Sequence, residues 1–203
     1  SLLALPFLAA CGKSGSGYHG SAWVATQGSH SVAVVDLLAF IVRQRIDLAS
    51  GPSALVRGVK SLYALLPESS AMAELDTGER KVRRTIHLPG PPLSARVEGG
   101  GERLWVLAAE PSPALIPVTT SDGRPGRPIA LAGRPAAMAI APGAGEAAVT
   151  LALGAVQFVD LRAMKASEPV LLSEPAAETL PAAEAATTDA QAGEVRYRSD
   201  GKV

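Results

Sequence analysis

Cysteine occurs once in the 203-residue chain. That count excludes an intrachain disulfide and, within one chain, a thiolate cluster for zinc or iron–sulfur. Aromatic residues make up only 4% and methionine occurs three times, a poor supply for a helical bundle. Neither sign of charge is in excess, because nineteen basic and nineteen acidic residues cancel. No global field therefore favours nucleic acid or an anionic surface. What the chain does have is 47% hydrophobic residues, 20 Gly and 16 Pro, a composition suited to short strands joined by many turns.

The amino end opens on an apolar run, Ser1 to Ala10, too short to span a bilayer as a helix and followed at once by the small and polar residues Cys11 to Gly17. The segment Leu8-Ala9-Ala10-Cys11 is similar to the lipobox of bacterial lipoproteins. In that family a signal peptidase cuts before the Cys and the thiol carries a diacylglycerol. The resemblance implies lipidation at Cys11, a partial signal peptide over residues 1–10 and a flexible tether over 11–20. Gly12, rather than an Asp, after the Cys permits outer-membrane sorting in that family. The expected address is the bacterial cell envelope, at the outer membrane or periplasmic face. The alternative reading is an unmodified Cys after a hydrophobic strand.

Beyond the tether the chain repeats itself. Trp23, Tyr63 and Trp105 head matching segments, 40 and 42 residues apart, with Ala147-Ala148-Val149-Thr150 as a weaker fourth copy. Val34-Val35-Asp36-Leu37, Glu74-Leu75-Asp76-Thr77 and Phe158-Val159-Asp160-Leu161 recur downstream, with Ile116-Pro117-Val118-Thr119 as the degenerate member. Ile46-Asp47-Leu48, Ile86-His87-Leu88, Ile129-Ala130-Leu131 and Val170-Leu171-Leu172 hold the same register. Within a copy the pattern has period two, which means strand. Gly and Pro fall between the runs, where they end strands and make turns. A period of about 40 residues built from strand-length runs predicts an all-β fold, a β-propeller of four-stranded antiparallel blades.

Here the chain resembles the YVTN-type repeat of the lactonase-like and WD40-like propellers. Ala22 to Leu48 is its best copy. Repeat copies fall near 21–58, 59–98, 99–141 and 142–198, so the propeller domain occupies 21–203. Inner strands are expected at Ala54 to Arg57, Ala95 to Glu98, Met138 to Ala141 and Val195 to Arg198. Relatives most often have seven blades, about 300 residues in all. The resemblance therefore implies about four blades here, with carboxy-terminal blades to follow. Residues 176–193, Ala-rich and acidic, break the period and read as a lengthened loop or a short helix.

Most conspicuous residues are explained by the scaffold. The aromatic series occupies equivalent packing positions between sheets, and Asp36, Asp76 and Asp160 sit at strand ends where Asp bonds nearby backbone N–H groups. His19, His30 and His87 show neither metal-ligand spacing nor a catalytic arrangement. Gly99-Gly100-Gly101 lacks the setting of a dinucleotide loop and reads as a hairpin turn. Arg57, Arg96 and Arg196 all fall on expected inner strands, which line a propeller's channel, and are the candidate anion contacts. No catalytic, cofactor-binding or metal-binding residue is identified.

The expected function is a non-catalytic scaffold, held at the membrane by a lipid anchor and presenting a propeller face to a protein, peptide or glycan, with no cofactor and no nucleic-acid partner. The alternative implied by the family is an enzyme, a lactonase-like hydrolase or redox-cofactor propeller with its site at the channel mouth.

Overall fold

The computed structural model describes residues 19–143 and 145–172. They form sixteen strands in four antiparallel sheets. The first sheet holds β1 (Ser21–Thr26), β2 (Ser31–Asp36) and β3 (Ile41–Asp47). The second runs in the order β4 (Ala54–Arg57), β5 (Ser61–Leu66), β6 (Ala71–Asp76), β7 (Lys81–His87). The third repeats this with β8 (Pro92–Val97), β9 (Arg103–Ala108), β10 (Ala114–Thr119) and β11 (Ile129–Ala130). The fourth has β12 (Pro135–Ile140), β13 (Glu146–Leu151) and β14 (Ala155–Asp160), whose far edge pairs with β15 (Lys165–Ala166) and β16 (Val170–Leu171). The expected blades are therefore present. Among the described residues, no helix is long and apolar enough to cross a membrane.

The strand that ends each sequence repeat pairs with the strand opening the next: β4 is hydrogen-bonded to β5, with Val56 opposite Tyr63, and β8 to β9, with Arg96 opposite Trp105. Sheet and sequence repeat are thus offset by one strand, so every junction between repeats is held by a ladder of backbone hydrogen bonds. The inner strands also meet one another, β4 against β8 and β8 against β12.

Alternation divides each central strand between two neighbours. On β5, Tyr63 and Leu65 pack toward the third sheet, while Ala64 and Leu66 pack toward the first. On β9, Leu104 and Val106 face the second sheet, and Trp105 and Leu107 face the fourth. Burying one such side chain stabilises by about 1.5–3 kcal/mol, so the stacked faces hold the fold together. The aromatic series lies in these layers: Trp105 is fully buried, Tyr63 buried, and Trp23 packed at the edge of the first interface. Ala148 takes the corresponding place in the fourth sheet, where the local cluster is small.

The outer hairpins reuse one loop. Asp36 Oδ1 accepts the N–H groups of Leu38 (2.8 Å) and Ala39 (2.9 Å), Asp76 Oδ1 those of Gly78 and Glu79 (both 2.8 Å), and Asp160 Oδ1 those of Arg162 (2.9 Å) and Ala163 (2.8 Å). Each four-residue loop ends in the left-handed region, at Phe40 (φ 50°), Arg80 (φ 52°) and Met164 (φ 55°), while the third sheet uses Gly123 (φ 72°). Only Gly enters that region without a Cβ penalty. Met164→Gly should therefore raise stability by about 0.5–1 kcal/mol after the greater freedom of an unfolded glycine is subtracted. A chemical-denaturation midpoint measures it.

The same loops set an acid response. The Asp76 carboxyl is held below its ordinary 3.8 chiefly by the Glu79 N–H, and the Asp36 carboxyl chiefly by the Ala39 N–H and then by the Arg43 side chain. A depressed folded-state value gives stabilisation that is complete above the unfolded value and is lost as pH falls through the folded one. Asp76→Asn should accordingly flatten the decline in thermal midpoint below about pH 4, an effect read from melts across acidic buffers.

Candidate functional site

The most developed polar site lies between the second and third sheets. A row of cross-strand partners crosses the second sheet on one face: Val56 on β4, Tyr63 on β5, Glu74 on β6 and Arg84 on β7. Glu74 is 1% exposed, and a buried carboxylate must be paired and hydrogen-bonded to be tolerated. Ser61 Oγ donates to its Oε1 (2.7 Å), and Arg84 Nε donates to its Oε2. The Arg84 guanidinium continues across the interface, donating to the carbonyls of Thr120 (2.6 Å) and Ser121 (3.2 Å) on the third sheet. Carboxylate, guanidinium and neighbouring backbone make one strut between the sheets.

A cavity of about 580 Å³ opens beside this strut, lined by Val59, Ser61, Tyr63, Glu74, Arg83 and Thr120 among others. Arg83 reaches Glu74 from the solvent side at 3.6 Å, too far for a hydrogen bond. Burial first, and the Glu74 charge second, push the Tyr63 hydroxyl above its ordinary range, so it stays protonated at neutral pH. Both Glu74 oxygens already accept hydrogen bonds. The carboxylate therefore acts as a brace and is poorly placed to take a proton from a substrate. Among the described residues no group of three or more His, Cys, Asp or Glu is arranged to hold a metal.

The first sheet carries a lighter version of the same strut. There the row reads Trp23, Val34, Gln44, and Gln44 Nε2 donates across the interface to the Arg80 carbonyl (2.9 Å). In the fourth sheet, buried Gln157 accepts from the Ala132 N–H (2.9 Å) and donates to the Ser167 carbonyl (2.7 Å). A signal for Glu74 was present in the sequence: it occupies a place that Val34, Ile116 and Phe158 fill in the other copies, the third sheet's ladder putting Pro117 there instead. Its partner Arg84 shares the parity of Val82, Ile86 and Leu88 in the sequence, and the ladder places it opposite Glu74.

The other sequence candidates are dispersed. Arg57 is exposed on β4 opposite Leu62, whose face looks to the first sheet; Arg96 is exposed on β8 opposite Trp105, whose face looks to the fourth. One position out of phase, they point to opposite sides of equivalent sheets and are not brought together. Arg196, Cys11 and the 176–193 segment lie outside the described residues. His19, His30 and His87 are exposed, with His30 closing a hairpin at φ 47°. Gly99 to Gly101 sit in the β8–β9 turn, where the Gly101 N–H donates to the Glu98 carbonyl (2.7 Å).

No protein-family model and no curated protein matches the sequence. Solved structures do. The Kuenenia stuttgartiensis hydrazine synthase superposes with a TM-score of 0.67 at 20% identity over 73% of this chain, and dihydro-heme d1 dehydrogenase NirN in complex with DHE with 0.61 at 14% over 74%. Both are β-propeller proteins, so the class of fold is a β-propeller with about four blades in this chain. The chain spans 45% of the first structure's length and 35% of the second's. At these identities the likeness is one of fold alone.

A double-mutant cycle tests the strut. Arg84→Gln, which leaves Glu74 buried without its cation, should cost about 2–3 kcal/mol, tempered by the partial exposure of Arg84. Adding Glu74→Val recreates the Val34/Gln44 pair of the first sheet and should recover about 1 kcal/mol or more. Simple additivity of the two losses would show that Glu74 and Arg84 do not act together.

Proposed function

We propose that this chain is a YVTN-type propeller lipoprotein of the bacterial cell envelope, anchored through Cys11 and serving as a non-catalytic scaffold that binds a protein, peptide or glycan on a propeller face. The observation that carries the reading is where the interior polar groups are spent. Among the described residues, the six buried Ser, Glu, Thr and Gln side chains are engaged within the fold, Ser31 with Thr26, Ser50 with Ser69, Ser61 with Glu74, Glu74 with Arg84, Thr150 with the Ala137 N–H and Gln157 with two backbone groups, while the buried Ser94 Oγ and Trp105 Nε1 have no partner. Such groups rigidify blades and hold surfaces in place. Exposed loops are left to meet a partner.

A second reading draws on the neighbours' names. Hydrazine synthase and a heme d1 dehydrogenase are enzymes by name, which is consistent with the redox-cofactor form of the alternative; the lactonase-like form rests on the resemblance of the repeat alone. A Soret band after incubation with heme, or lactone hydrolysis above background, would favour it.

Expression in a Gram-negative host decides the anchoring. The protein should sediment with membranes and carry a diacylglyceryl Cys11 by mass spectrometry, while Cys11→Ser should move it to the soluble fraction. Soluble protein still bearing residues 1–10 on an unmodified Cys11 contradicts the proposal.

A further inference from the structure

We infer that the cavity of about 580 Å³ between the second and third sheets binds a small carboxylate with an apolar body, and that Arg83 at its mouth takes the carboxylate. A volume of this size suits a small molecule. Two turns of neighbouring sheets flank it, residues 58–60 between β4 and β5 and residues 100–102 between β8 and β9. Both turns carry glycine where the walls come closest: a Cβ at Gly58 would lie 2.9 Å from Tyr63 Cε2, and one at Gly101 would overlap the Val59 side chain. Val59 and the Tyr63 ring thus supply an apolar wall. Trp23 and Trp105 hold the place of Tyr63 in the first and third sheets, so the interface with the cavity is the one built on the smaller aromatic side chain.

Arg83 is the group left waiting there. The ladder sets Arg84 opposite Glu74 and Val82 opposite Leu75, which leaves Arg83 in the bulge between them. Arg43 holds the same place in the first sheet, where Gln44 is opposite Val34 and Val42 opposite Val35. Arg43 is committed, its Nε and a terminal nitrogen donating to Asp36 Oδ2 at 3.0 and 2.7 Å. Asp76 is the counterpart of Asp36, yet Arg83 turns instead toward Glu74 Oε1, 3.6 Å away and already accepting from Ser61. Among the described residues Arg83 makes no hydrogen bond, and its fork of N–H donors is open to a planar acceptor.

Charge selects the class of ligand. Glu74 is answered by Arg84, so Lys60 and Arg83 stand at the mouth against Glu102 alone, an excess of one positive charge. One carboxylate matches it. A phosphate dianion would exceed it, and a neutral molecule would leave Arg83 unmet. The site makes no use of Cys11, so it stands or falls apart from the anchoring.

3-Phenylpropionate tests this on the full chain, titrated by saturation-transfer NMR beside its amide and inorganic phosphate. The carboxylate should bind saturably, with the amide and phosphate at least about tenfold weaker. Arg83→Gln should weaken binding by about tenfold or more, whereas Arg43→Gln, which removes the committed equivalent, should leave it unchanged. Tyr63→Trp, which installs the residue of the first and third sheets, should abolish binding with the melting temperature kept or raised. Arg83 is an exposed side chain, so its variant decides the matter even where Tyr63→Trp does not fold. No saturable binding, equal binding of the amide or of phosphate, equal losses in Arg83→Gln and Arg43→Gln, or full binding by either Arg83→Gln or a folded Tyr63→Trp overturns the inference.

Discussion

Tyr63 and Leu65 lean on one neighbouring sheet while Ala64 and Leu66 lean on the other, and this two-sided burial is the constraint from which the remaining structure follows. A sheet whose central strands are apolar on both faces cannot stand alone in water, and must be stacked between others. Stacking in turn demands the same strand arrangement again at each step, hence the repeat. The one-strand offset between sequence repeat and sheet then couples each unit to the next through β4 and β8.

Repetition leaves two places where the chain departs from its own rule. Between the second and third sheets a buried Glu74 stands where other copies hold an apolar residue, and Arg84 turns it into a strut that grips the next sheet. At the first outer hairpin, Leu38 and Phe40 stand where the second sheet has Gly78 and Arg80. The first departure serves cohesion, since every group involved is satisfied inside the fold. The second leaves Leu38 and Phe40 largely on the surface.

Strands, turns and packing were legible in the sequence because each rests on local, repeated chemistry. Period-two apolar runs specify strands, and Asp before a four-residue loop specifies a cap that the structure reproduces at Asp36, Asp76 and Asp160. The aromatic series was legible for the same reason. The strut was not, because whether Glu74 meets Arg84 depends on the ladder register between β6 and β7, where a bulge between Glu74 and Leu75 shifts the pairing. The phase of Arg57 against Arg96 is also a matter of register, and one residue of difference sends them to opposite faces.

Residue-level hydrogen exchange tests the two-sided packing most directly. The account predicts the slowest exchange in β5, β6, β9 and β10, with β4 opening together with β5 to β7 although its sequence repeat groups it with β1 to β3. Rapid exchange throughout β5 and β9, or β4 opening in step with β1 to β3, would contradict it.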